Sequence, residues 1–409
     1  MTPTRTVEVA IVGGGPAGAL LGARLARHGI DVTILERSPT WRWRASGVFT
    51  SPAAVAALGR ADVPDEIVRR VAQPIPAMRL ETSGGAVVRL TYGSEDGGPP
   101  AVGLDRSTLD PSLIEMARAA GAEVLEGVSA TAIGLDSGRG TNRVAITTRS
   151  DDTERILSVR IVVGADGAQS IVARAAGVLR PSRLPRRIGL TFHLPDERST
   201  DMAVDARMCI IPDGYVGIAP VPGGRINIGI VLGPSWRDAL RADGATAVAA
   251  RILTGIQPSN DDDGRWRSAP PCEPIAGAWP LGGRVTRRAG DGWLLVGDAA
   301  GFLDPFTGEG LHRAVVSTEV AAAAITQACR GHTGAFGAYD RAMRRRFATK
   351  DLVSWIVQAF LSRPAAFEYA ARRLAARPEL RGTMGRVIGD LTPASRALDP
   401  RFLARLLAP

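Results

Sequence analysis

Lysine is all but missing from this chain of 409 residues: Lys350 is the only one, although Lys and Arg together number 50. The formal charge of +9 is therefore an arginine charge. The arginines are scattered through an alanine- and glycine-rich sequence, as coding bias would scatter them. No nucleic-acid-binding signature accompanies them, and no nucleic-acid partner is expected. Cysteine is nearly as scarce. Cys209, Cys272 and Cys329 stand far apart with no C-x-x-C pair, which excludes a disulfide framework and suits thiols in a reducing cytosol. The four histidines, His28, His193, His312 and His332, lack ligand spacing, so no metal site is expected. No uncharged apolar run reaches the ~18 residues that would suggest a membrane span; the alanine-rich run after Ala314 is broken by Glu319. The chain starts without a basic-then-apolar leader, and a cytoplasmic location is expected.

What is present begins with length and balance. A chain of 409 residues exceeds one ordinary core, so two domains are expected, and 45% hydrophobic with 22% charged residues is a soluble globular composition. "VEVAIVGGGPAGALLGARLARHGIDVTILER" carries the strongest signal. An apolar strand ends at Val12, Gly13-x-Gly15-Pro16-Ala17-Gly18 makes a tight turn, and an amphipathic helix closes at Gly29. A second strand then ends in Glu36. The first glycine permits the turn, the second admits a pyrophosphate to the backbone, and the third lets helix pack on strand. Glu36 is placed to accept from a ribose hydroxyl, and Arg37, Arg44, Ser46 and Gly47 behind it are candidates for contact with the same ligand. The fingerprint alone does not separate NAD from FAD.

Three later segments bring a family resemblance. "RIVVGADGAQSIVARAAG", with Asp166 and Gly167, resembles the GADG motif of FAD-dependent monooxygenases and their relatives. "GWLLVGDAAGFLDPFTGEG" resembles their second FAD motif, whose aspartate, carried over as Asp298 after Gly297, would hydrogen-bond the ribityl chain. "LDRSTLDPSLIEMARAAGAEV" resembles the segment whose arginine, Arg106 here, faces the cofactor; the strand after it would pass the adenine near Ala130. Within the superfamily the chain is most similar to the geranylgeranyl-reductase-like branch, through "DPFTGEG", "RASGVFTSPAAVAALGRADVPDEI" and "GYVGIAPVPGGRINIGI". The last resembles the substrate motif Y-x-W-x-F-P, and assigns Tyr215, Gly217, Ala219 and Pro220 to a substrate pocket. Gly217 and Ala219 replace two aromatics, which opens volume. Where the reductases often carry cysteine beside the flavin, this chain has Ser46.

The resemblance implies an α/β fold with a discontinuous Rossmann-type FAD domain (1–75, 105–178 and 281–335). An antiparallel-sheet substrate domain (76–104 and 179–280) and a helical C-terminal region (336–409) complete it. In that fold Pro305, Gly308, Glu309, Gly310 and Leu311 lie along the flavin ring, with the Glu309 carboxylate expected to cap the following helix. The loop "PSNDDDGRWRSAPP" is expected to be mobile. No second G-x-G-x-x-G exists, so NAD(P)H would visit transiently, or a ferredoxin or separate reductase would replace it. The implied activity is reduction of a C=C bond in a small hydrophobic, isoprenoid-type substrate. The alternative is a monooxygenase hydroxylating or epoxidising a small hydrophobic or aromatic one. A halogenase of the tryptophan type would need a lysine by the substrate, and Lys350 lies outside the substrate domain. No catalytic acid is assigned. The segment "LVSWIVQAF" within an arginine-rich helix is expected to pack on the FAD domain or against a second subunit, with peripheral membrane contact as the alternative.

Overall fold

The computed structural model describes residues 5–44, 47–92, 100–135, 143–196, 204–257 and 264–408. Ser46 and residues 258–263 of the polar loop lie outside them. The fold is mixed α/β, with one mainly parallel sheet, one mainly antiparallel sheet and a helical C-terminal region.

The apolar run to Val12 forms the strand Arg5–Val12 near the middle of an eight-stranded sheet. It runs parallel to Val32–Glu36 on one side and to Thr153–Gly164 on the other. Glu123–Glu126 and Trp293–Leu295 extend the two flanks in parallel, while the hairpin Ser129–Gly134 and Val144–Ser150 joins Thr153–Gly164 antiparallel. Strand alternation divides the core. Val9, Ile11, Ile34 and Ile161 pack on the helices Pro16–Arg27 and Gly310–Cys329, whereas Val7, Ala10 and Val159 pack on the hairpin side with Ile146 and Val172.

The second sheet has seven strands in the order Ala276–Leu281, Arg187–Pro195, Arg225–Leu232, Gly214–Val221, Ala206–Ile211, Ala77–Glu81, Val87–Thr91. One face buries Val216, Ile218, Ile228 and Ile230 under the helix Arg237–Gly255. The opposite face turns Met208, Tyr215 and Ala219 toward Phe306 and the C-terminal helices. Ala101–Leu104, assigned by sequence to this domain, instead pairs with Phe49–Thr50 and Ala72–Ile75 in a small three-stranded sheet. Gly103 explains the placement: a Cβ there would lie 1.8 Å from the Pro220 carbonyl oxygen, so the small sheet abuts the large one through bare backbone.

The C-terminal region is Ala335–Leu361, Pro364–Ala376, Pro378–Ile388 and Pro400–Leu407. Three of these helices begin on proline, whose fixed φ suits the first turn and whose missing N–H costs nothing there. Among the described residues no helix is long and apolar enough to cross a membrane.

Candidate active site

The carboxyl ends of the parallel strands carry the glycines. Gly13 has φ +106°, and a Cβ on it would fall 2.5 Å from the Ala165 carbonyl oxygen; a Cβ on Gly18 would fall 1.9 Å from that of Gly13. Packing of the chain on itself therefore demands these two. Gly15 is different, because a Cβ there would meet nothing within 4 Å. The helix Pro16–Arg27 starts beside it with no side-chain cap, so its first-turn N–H groups point into open space. Gly297, φ +57°, closes on the same turn, a Cβ on it coming 2.9 Å from that of Ala17.

Glu36 is buried at the end of the second strand. One carboxylate oxygen accepts the Gly14 N–H at 2.9 Å; the other accepts the Ser38 N–H at 2.9 Å and Arg44 at 2.6 Å. Burial pushes its pKa up, but these bonds and the Arg44 charge outweigh it and hold the carboxyl below its ordinary range. Arg44 is thus engaged with the acid, Arg37 is exposed, and Ala130 lies half-buried in the hairpin opposite Thr148. Asp166 accepts the Ile171 N–H at 2.7 Å with one oxygen, while its other oxygen is buried without a partner. Gly167, φ +83°, faces open space beside it.

Arg106 grips Asp110 with two bonds of 2.7 and 2.9 Å and reaches the Gly47 carbonyl at 3.2 Å. Its charge acts on Asp298, whose carboxylate receives no hydrogen bond from any described residue. Burial lifts the Asp298 carboxyl to about 6, against the pull of Arg313 and Arg106 and with the push of Glu309. Beyond it Pro305–Thr307 forms a single 3-10 turn and Gly308, φ +64°, reverses the chain over Phe49. Gly310 and half-buried Leu311 then open a 20-residue helix. The expected Glu309 cap is not formed. Its carboxylate turns along the helix to Arg313 at 3.2 Å, and its second oxygen is buried without a partner. The helix start is left bare, as at Pro16–Arg27.

The second sheet covers this region through Asp304, a residue the sequence did not single out. Asp304 accepts from the Tyr215 hydroxyl at 2.5 Å, from Arg187 at 2.9 Å and from the Phe306 N–H at 3.0 Å, and Phe306 meets the Tyr215 ring edge-on at 5.1 Å. Tyr215 is therefore a buried latch rather than an open pocket wall. Pro220 is a further departure from expectation: alternation puts it on the face opposite Tyr215, Gly217 and Ala219. On their face the register lines up Gly217, Gly229 and Thr191, with Gly189, Ala276 and Ala278 beside them. A Cβ on Gly217 would find only the Met208 methyl at 3.7 Å and a carbonyl oxygen at 3.8 Å. The sheet thus offers a floor of small side chains.

His193 shares that face. Its Nδ1 and its backbone N–H both meet one Glu273 oxygen, at 2.8 and 2.6 Å, and Trp43 packs against the ring at 4.4 Å. Its Nε2 is buried without a partner. Sequence reading passed over this pair because 80 residues separate its members; only strand register unites them.

Two bare helix starts, a half-buried carboxylate without a hydrogen-bond partner and glycines opening on free space fit a dinucleotide with a polyol chain. The family described as "FAD binding domain" matches residues 6–350. The chain belongs to that family. It is a flavoprotein oxidoreductase and FAD is its cofactor. Digeranylgeranylglycerophospholipid reductase 2 of Methanopyrus kandleri is 32% identical over 338 residues, 78% of each chain. Menaquinone reductase of Mycobacterium tuberculosis is 28% identical over 79% of this flavoprotein and 77% of its own length. Among solved structures, a geranylgeranyl bacteriochlorophyll reductase-like protein from Thermoplasma acidophilum superposes with a TM-score of 0.76 at 22% identity, covering 98% of both chains. The geranylgeranyl-reductase-like resemblance of the sequence therefore holds.

The raised Asp298 carboxyl predicts a pH-dependent stability. Its folded pKa lies above the ordinary aspartate value, so the stability it contributes is complete below about pH 4 and is lost as pH rises through about 6. The loss amounts to roughly 2–3 kcal/mol for a shift of this size. Asp298→Asn should raise the melting temperature of FAD-stripped protein at pH 8 and change it little at pH 4.5. An Asn–Asp difference independent of pH would contradict the assignment.

Proposed function

We propose that this flavoprotein reduces a C=C bond of a hydrophobic, isoprenoid-type substrate lying on the Gly217–Gly229 floor. That floor is the observation that carries the reading: it gives an extended apolar chain room next to the Pro305–Gly310 loop, where bulkier side chains would fill the space. The names of the two curated relatives, a digeranylgeranyl lipid reductase and a quinone reductase, support the same class.

In this reading residues 13–18 and the start of Pro16–Arg27 would hold the diphosphate, Glu36 the adenosine ribose, Asp298 the ribityl chain and Pro305 to Gly310 the ring. The bound, reduced cofactor would be the source of hydride for one carbon of the double bond. The chain's own part is to exclude water, hold the alkene flat on the floor and return a proton to the other carbon. His193 is the group we assign to that proton, since Glu273 fixes its Nδ1 and its Nε2, buried on the face of the floor, has no protein partner. The bare start of Gly310–Cys329 offsets negative charge at the ring edge. Electrons would arrive from NAD(P)H bound transiently, or from a separate reductase or ferredoxin.

The test is anaerobic turnover of a geranylgeranyl lipid by dithionite-reduced enzyme, with the saturated product followed by mass spectrometry. Product formation without oxygen supports reduction; oxygen uptake coupled stoichiometrically to an oxygenated product would replace it with monooxygenation. Gly217→Trp should narrow the range of chain lengths accepted, with flavin content unchanged, because its side chain enters the floor and not the FAD cradle.

A further inference from the structure

Behind the flavin loop, Gly301 to Leu303 form one wall of a cavity of about 160 Å³ that the proposed reaction does not use. The other walls come from three separate parts of the chain. Ser182 and Arg183 stand on one, Arg284 and Arg288 on a second, and Arg313, Asp351 and Trp355 on the C-terminal half. Four arginines thus face one aspartate.

The pairing within the cavity is incomplete. Asp351 is already bound to Arg313. Arg284 gives its Nε to the Pro181 carbonyl at 3.2 Å. Exposed Arg183 and half-buried Arg288 have no side-chain hydrogen bond or ion pair with any described residue. The other carboxylate acting on Arg288, Asp340, is committed elsewhere: it accepts the backbone N–H of Arg288 itself at 2.8 Å and Arg344 at 2.9 Å. Arg288 is not a solvated surface arginine either. Burial presses its pKa down, and the charge of Arg313 adds to the pressure, with Asp351, Tyr339 and Asp340 opposing. A half-buried guanidinium without a protein partner has given up part of its water and receives no carboxylate in exchange. Its planar fork suits a tetrahedral oxyanion better than any other ligand of this size.

We infer that this cavity binds a phosphate or diphosphate group, held by Arg288 and Arg183 with Arg284 and Ser182 at its mouth. The anion-binding inference stands on the cavity alone. Its biological source rests on the reductase reading, which offers two: the phosphate head of a lipid substrate, or a phosphate of a visiting dinucleotide donor.

The test is calorimetric titration of the FAD-loaded protein with inorganic pyrophosphate, alongside Arg288→Met, Arg183→Ala and, as an exposed control far from the cavity, Arg241→Ala. Saturable one-site binding is expected for the wild type and the control, weakened about tenfold or more in each of the other two. Arg288→Met should melt no lower than the wild type without pyrophosphate, since it removes a half-buried charge that has no protein partner, and should lose the rise in melting temperature that pyrophosphate gives the wild type. Absence of saturable binding, or equal binding by all four proteins, would overturn the site. With the site established, pyrophosphate raising the KM for a polyprenyl phosphate assigns it to the lipid head, and raising the KM for NADPH assigns it to the donor. Because pyrophosphate is read by heat and melting, failure of alkene reduction leaves this result standing.

Discussion

Gly15→Val yields a folded protein that no longer retains FAD. The φ of Gly15, −68°, is open to any residue, and a side chain there touches nothing within the protein. The cost to the apoprotein is confined to a poorer helix start, at most about 1 kcal/mol. The side chain does, however, occupy the space in front of the bare N–H groups of Pro16–Arg27. Blocking a diphosphate from that helix start should cost at least about 100-fold in FAD affinity, roughly 3 kcal/mol. The absorbance ratio of flavin to protein after desalting, together with far-UV circular dichroism, measures both halves. Gly18→Val supplies the contrast: its Cβ would overlap the Gly13 carbonyl, so it should lose secondary structure as well as flavin. Stoichiometric FAD on folded Gly15→Val protein would remove the helix start from the cofactor site.

Lys350→Met should be the most damaging substitution for stability in the C-terminal region. The only lysine is buried, with its ammonium 2.7 Å from Asp390 and 2.9 Å from the Val387 carbonyl. Asp390 sits at φ +57°, a conformation that side chains rarely adopt, and also meets His312 at 3.3 Å and Ser51 at 3.3 Å. It therefore ties the end of Pro378–Ile388 to the first turn of Gly310–Cys329 and to the start of the helix Pro52–Arg60. Burial works to raise its pKa, but the His312 bond and the Lys350 charge prevail and hold the carboxyl below its usual range. Removing the ammonium strands this carboxylate, at a cost of about 3–5 kcal/mol. Urea denaturation at pH 7 measures it. The deficit should shrink toward acid, because a depressed carboxyl gives up its stabilisation as pH falls through its folded pKa. A loss under about 1 kcal/mol would show that the pair is solvent-screened after all.

Arginine is a poor substitute there for a physical reason. A compact ammonium is satisfied by one carboxylate and one carbonyl, whereas a guanidinium fork needs more acceptors than these two. Sequence reading placed Lys350 in a helix but had no means of finding Asp390, 40 residues on.

The same division runs through the active site. Strand, turn, helix and acid around Gly13–Glu36 could be read in order because each depends on neighbours a few residues away: apolar run, glycine spacing, amphipathic period. Asp166, Asp298 and the Gly308–Gly310 turn were reached instead through resemblance to family motifs, which a sequence can show because each motif is short and contiguous. Tyr215 was legible as a residue but not as a latch, since its partner Asp304 lies 89 residues away. Glu309 was misjudged because a cap was the local option and Arg313 with its ion pairs the tertiary one. Pro220 was grouped with its neighbours although strand alternation turns it away.

By itself, then, the sequence determined a dinucleotide site and the α/β frame, because a nucleotide cradle is built from backbone geometry that glycines and strand ends specify locally; FAD rather than NAD came through resemblance to family motifs. Only the tertiary structure decided what stands over that cradle. The glycine floor, the His193–Glu273 pair, the Asp304 latch and the unpaired Arg288 each depend on side chains brought together by sheet register or helix packing. Distances of this kind carry no signature along the chain, so burial and the pairing of charge settled them.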